Sequence, residues 1–180
     1  MSLITDPVGA SSLRTTPGTS TAGQNAEFKL GTRAKGHDNG EYLYVQAAAA
    51  LLTNVTDPNA LAIDTNYQAN LMTTALALAN QQLGFAPPVA IAQYDFFWAR
   101  IKGSGSTFTA RVSASASANK YLRTTVTAGR LGTASTASAV TFEGVVITTA
   151  ASASTSANNS VRPVLMTDGR AVRQGLSTFI

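Results

Sequence analysis

The stretch Tyr94-Asp95-Phe96-Phe97-Trp98-Ala99-Arg100-Ile101 decides how this chain folds. With a period of two it sets Tyr94, Phe96 and Trp98 on one face and Asp95, Phe97, Ala99 and Ile101 on the other, so both faces are largely apolar and both need cover. It predicts a central strand. Gly103-Ser104-Gly105 reads as the turn after it, and Phe108, Ala110 and Val112 as a return strand with Thr109, Arg111 and Ser113 on its opposite face.

The same pattern extends in both directions. Upstream, Phe28, Leu30 and Thr32 alternate with Lys29, Gly31 and Arg33, and a turn over 35–40 leads into Tyr42, Tyr44 and Gln46, which alternate with Leu43, Val45 and Ala47. Asn39-Gly40 supplies the positive φ such a hairpin needs. A short strand is expected at Leu61–Ile63 after the turn at Asp57-Pro58-Asn59. Downstream, strands are expected at Tyr121–Thr127, Thr141–Thr148 and Val161–Met166, the last closed by a turn at Thr167-Asp168-Gly169. The stretch from Tyr67 to Leu83 reads both ways: Tyr67, Leu71, Ala75, Leu78 and Leu83 approximate helical spacing with Asp64 or Thr65 as the cap, and the segment is expected as a short helix. The fold class is therefore all-β, a small sandwich or barrel of short antiparallel strands with an extended N-terminal arm and at most one short helix.

Residues 1–26 are read as that arm, and 27–180 as the β domain. Pro7, Gly9, Pro17, Gly18 and Gly23 interrupt a Ser/Thr-rich stretch with little to bury, which leaves either a disordered tail or an extended segment ordered on a neighbouring subunit. The alternating Ser/Ala runs 113–118 and 150–156 are expected as surface loops or edge strands.

The chain has 180 residues, of which 44% are hydrophobic and only 12% charged, and it has no cysteine. Ala, Ser and Thr together fill about two positions in five. A surface of such small neutral groups suits close packing against other protein more than solitary life in solution. The net charge of +4 is spread from Arg14 to Arg173 without a basic run, so nucleic-acid binding is not expected. No stretch approaches the roughly 18 apolar residues of a spanning helix, and the N-terminus has neither a basic start nor an apolar run, so no membrane association and no secretory route are expected.

Chemistry-bearing residues are sparse. The one histidine, His37, stands in a Gly-rich turn without neighbouring ligands. Asp6, Asp38, Asp57 and Asp168 stand next to Pro, Gly or Asn, where aspartate bonds the local backbone. Asp95 either pairs with Arg100 or Arg111 or faces solvent. No spacing proposes a carboxylate pair, a phosphate loop or a metal set, so no catalytic residue, cofactor or metal is expected and the chain is read as a non-enzyme.

Phe28-Lys29-Leu30-Gly31-Thr32 followed by Asp38-Asn39-Gly40-Glu41-Tyr42-Leu43-Tyr44-Val45-Gln46-Ala47-Ala48 resembles the opening of tailed-bacteriophage head decoration (capsid cement) proteins. Ala62-Ile63-Asp64, Leu71-Met72-Thr73-Thr74-Ala75, Gly84-Phe85-Ala86, Tyr94-Asp95-Phe96-Phe97-Trp98, Leu122-Arg123-Thr124-Thr125-Val126-Thr127-Ala128-Gly129 and Phe142-Glu143-Gly144-Val145-Val146 are similar to that group's later blocks. The Asp95–Trp98 block departs from the Tyr-Gly-Trp usual there. The resemblance implies a structural virion protein, made in the host cytoplasm and carried on the outer surface of the capsid, where it binds the major capsid protein and stabilises the shell. It also implies a homotrimer, with Leu3, Ile4, Val8 and Leu13 as apolar anchors of the arm, Arg14 as its polar tether, and Leu176, Phe179 and Ile180 docking in the same manner. The alternative is a receptor- or glycan-binding virion appendage, a head-fibre or tail-spike module, which a shallow exposed aromatic patch would favour.

Overall fold

A computed structural model describes residues 15–21, 23–51, 58–79, 81–103, 107–113, 116–134, 138–150 and 160–172. The chain is all-β. Six strands, β1 (Arg33–Lys35), β2 (Gly40–Ala47), β3 (Ala60–Ile63), β4 (Gln68–Leu71), β5 (Gln82–Phe85) and β6 (Phe96–Gly103), form the first unit, with the short helix α1 (Thr74–Leu78) between β4 and β5. Five more, β7 (Thr107–Val112), β8 (Lys120–Thr124), β9 (Leu131–Gly132), β10 (Thr141–Ile147) and β11 (Ser160–Val172), form the second.

Each unit closes on itself. The first runs β2-β4-β3-β5-β6 and back to β2, with β1 added outside β2; the second runs β7-β9-β8-β10-β11 and back to β7. Strand for strand the wiring is the same. In each ring the first strand lies parallel to the third (β2 to β4, β7 to β9), and every other neighbour is antiparallel. The expected choice between sandwich and barrel thus resolves into two small barrels of one topology, whose ring strands are paired on both sides.

The aromatic strand is central, as its two apolar faces require. β6 pairs with β2 in the register Tyr44↔Trp98 and Val45↔Phe97, and touches β5 at Phe85↔Arg100. Phe97, Ala99 and Ile101 fill the first barrel with Leu43, Val45, Leu61 and Ile63. Phe96 and Trp98 point outward with Tyr42 and Tyr44 and are covered by Ala26, Phe28 and Leu30. That cover is a strap made of residues 15–21 and 23–32. Thr16 exchanges backbone hydrogen bonds with Phe96 at 2.8 and 2.9 Å, and Phe28 packs its ring 5.3 Å from Tyr44 and 5.2 Å from Trp98. Burying an aromatic side chain removes about 150–250 Å² from water, worth up to about 4–6 kcal/mol at the usual coefficient. Residues 1–14 of the expected arm lie outside the described residues.

Four local expectations are corrected. The 67–83 segment is β4, α1 and the start of β5 rather than one helix, because closing the first ring needs two strands there; the cap is Thr73, whose hydroxyl accepts from Leu76 N at 3.2 Å, and not Asp64 or Thr65. The strand after Gly103 does not return along β6. Both edges of β6 are engaged, by β2 on one side and by β5 and Thr16 on the other, so β7 joins β11 and β9 in the second barrel. The expected turn at Thr167-Asp168-Gly169 is a bulge inside β11, where the register passes from Glu143↔Arg170 to Val145↔Met166 across Gly144 at φ 77°. A 13-residue strand has to bend to stay on so small a ring, and the bulge bends it. Of the Ser/Ala run 113–118, expected at the surface, Ala116 is instead buried in the core.

The barrels share one cluster. Ala110, Val112, Leu122, Val145, Ile147, Val164 and Met166 of the second are continuous with Ala60, Ala62, Met72, Leu83 and Phe85 on the back of the first. Phe85 meets Phe108 edge to face at 4.8 Å across the seam.

Candidate interaction surface

Three constructions hold the outer surface of the first barrel. The first is a polar hub at Gln46, only 1% exposed. Its amide nitrogen donates to Thr19 O and Tyr94 O, both at 3.0 Å, while its Oε1 accepts from Gln68 Nε2 at 3.1 Å. One buried side chain thereby ties the strap, the turn before β6 and β4 together, with every amide group used.

The second is Asp38, in the β1–β2 turn. One carboxylate oxygen accepts from Gly40 N at 3.0 Å, the local role expected of it, while the other accepts from Tyr42 Oη and Arg100 Nη1, both at 2.8 Å. Arg100 is 8% exposed and also lies 4.5 Å over the Phe108 ring. The pair therefore pins the hairpin turn to β6 and extends to the second barrel by cation–π contact. Asp95 is a turn residue whose carboxylate accepts from Ala92 N at 2.9 Å.

The third is Tyr67, in the turn between β3 and β4. Asp64 Oδ1 accepts from Asn66 N at 2.8 Å and Gln68 N at 2.9 Å, closing the turn. The Tyr67 ring lies against Gly31, which is at φ 83° and where a Cβ would fall within the ring. A cleft of about 790 Å³ opens on one side of Tyr67, lined by Phe28 and Leu30, and one of about 500 Å³ on the other, lined by Arg33, Asp64 and Gln81.

Elsewhere, Arg130 at the junction is 8% exposed, and burial first, then the neighbouring Arg111, lower its pKa from the ordinary arginine value. His37 is exposed in its turn. Among the described residues no group of three or more His, Cys, Asp or Glu stands close enough to hold a metal, and no helix is long and apolar enough to cross a membrane. Tyr121, 54% exposed, stands beside Val146 on the outside of the second barrel.

The expected partner-binding residues Leu3, Ile4, Val8, Leu13, Arg14, Leu176, Phe179 and Ile180 lie outside the described residues. Sequence reasoning passed over Gln46, Arg100 with Asp38, and Tyr67. The signal for Tyr67 was present in Asp64-Thr65-Asn66, a turn sequence that helical spacing further on outweighed. Comparison with family models, with curated proteins and with solved structures found no match.

Proposed function

We propose that this chain is a structural virion protein of the tailed-phage head decoration kind, which binds the major capsid protein on the outside of the assembled shell and stabilises it, acting as a homotrimer. The observation that carries this reading is the order of the sequence blocks resembling that group. In this chain those blocks lie on the strap, on β2 and its turn, on β3, on the junction of β4 and α1, on β5 and β6, and on β8 and β10. The charge-poor, Ala/Ser/Thr-rich composition adds to it, since small neutral groups allow close contact with little desolvation. Many equivalent copies turn a modest contact per subunit into a large combined effect.

The test is to add purified protein to expanded, undecorated capsids, sediment them, and melt the decorated shells by calorimetry. Saturable, stoichiometric binding with a higher capsid melting temperature is the expected result. Absence of binding removes the proposal. Light scattering on the free protein checks the trimer separately.

A further inference from the structure

Tyr67 occupies a backbone position that ordinarily takes glycine or asparagine. It ends the Thr65-Asn66-Tyr67 loop at φ 61°, the left-handed place in a three-residue hairpin loop. A bulky side chain there is strained, and strain of this kind concentrates at functional sites. One side of the ring is used against Gly31. The residue is nonetheless 38% exposed, between the two clefts.

The walls of those clefts carry side-chain amides. Asn66 and Gln68 line the larger cleft, Gln81 and Gln82 the smaller. Charge is balanced, Lys29 and Arg33 against Glu27 and Asp64.

We propose that the paired clefts beside Tyr67 bind a neutral oligosaccharide, with the open part of the ring stacked on one pyranose and the amides bonding hydroxyls of its neighbours. A sugar ring presents a C–H face for the aromatic surface and hydroxyls that both donate and accept, as side-chain amides do. A phosphorylated ligand calls for an excess of cations, and a drug-like apolar one for an enclosed pocket. The site has balanced charge and lies open. This inference does not depend on the capsid reading.

The test is to titrate isotope-labelled full-length protein with maltohexaose, cellohexaose and chitohexaose, each to about 10 mM, a range that detects millimolar affinity, while following backbone amide shifts. At least one saccharide is expected to move the amides of Asn66, Tyr67, Gln68 and Gln81 saturably. Tyr67→Asn suits the left-handed backbone but lacks the ring, and is expected to weaken binding roughly tenfold. Gln82→Met keeps the volume without the exposed amide and is expected to weaken it a few-fold, by roughly one hydrogen bond. The proposal is overturned if none of the three saccharides moves these amides, or if Tyr67→Asn binds as the unaltered protein does.

Discussion

The first barrel encloses its own apolar cluster around Leu43, Val45, Phe97 and Ile101 and carries a second, aromatic one beneath the strap, whereas the interior of the second barrel runs without a break into the back of the first. Their wiring is the same; what covers them is not. Inside the first barrel stands one ring, Phe97, while Tyr44, Phe96 and Trp98 load its outer face beneath the strap. The second is filled by Val112, Leu122, Leu131, Val145, Ile147, Val164 and Met166, with Phe142 as its one fully buried ring among the described residues. Its core is not closed off: Phe85 and Leu83 of its neighbour belong to the same cluster and extend it. Topology here sets which strands pair, and the shared seam cluster ties the second barrel to the first.

Trp98→Ala breaks the richer side of that comparison and has the largest expected effect. It removes a ring that touches Tyr44 and Phe28 beneath the strap, and emptying such a site costs about 3–5 kcal/mol. Urea denaturation should show the loss at unchanged m-value. A loss below about 1 kcal/mol would mean that the strap does not seal this face.

Phe85→Ala tests the dependence itself. Phe85 is 1% exposed and lies on the seam against Phe108. The expected cost is again a few kcal/mol, roughly 3, but with a different signature. The unaltered chain should melt in one transition, and the variant in two, with the second barrel going first. A single sharp transition in the variant would show that the second barrel is not held together through Phe85.

The sequence made the first barrel more readable than the second for the same physical reason. Two-sided aromatic alternation at Phe96–Trp98 is a strong signal because few environments bury both faces, and Asn39, at φ 58°, supplied the expected hairpin turn. Closure into two rings left no such trace. The parallel partners β2 and β4 meet only at Gln46↔Gln68 and Ala47↔Ala69, and β7 meets β9 at the single pair Val112↔Leu131, contacts too short to pattern the sequence. Of the surface constructions, the turn role of Asp38 was legible because it is local. Its bond to Arg100, 62 positions away, was not, since only the folded ring brings the two together. In the 67–83 stretch the apolar spacing outweighed the turn residues, and ring closure reversed that weighting.

Arg100→Gln probes the link between the barrels at its polar end. It takes the Arg100 guanidinium from Asp38, whose side chain is 24% exposed, keeps Tyr42 and the Gly40 N–H, and removes the contact with Phe108. Partial exposure discounts the ion pair, so the expected loss is about 1–2 kcal/mol, below that of a fully buried pair. If the cation–π contact carries part of it, Arg100→Lys should recover less than half, because an ammonium cannot both pair with Asp38 and spread over the ring. Full recovery by lysine would assign the whole effect to charge.

The smallest effect is expected at the strap's far end, where two terms of opposite sign meet. Tyr67→Asn releases left-handed strain of roughly 1–2 kcal/mol and gives up the packing of the ring on Gly31, which is of similar size for a half-exposed aromatic. The net change in stability should lie within about 1 kcal/mol of zero. Gly31→Ala separates the two terms. In the parent chain its methyl group meets the Tyr67 ring and its φ of 83° is strained, so both penalties apply; beside Tyr67→Asn only the backbone penalty remains. The double variant should therefore be more stable than the sum of the single changes predicts, by about 1 kcal/mol or more in a thermodynamic cycle. Strict additivity would show that the ring does not rest on Gly31, and would detach the strap from the β3–β4 turn.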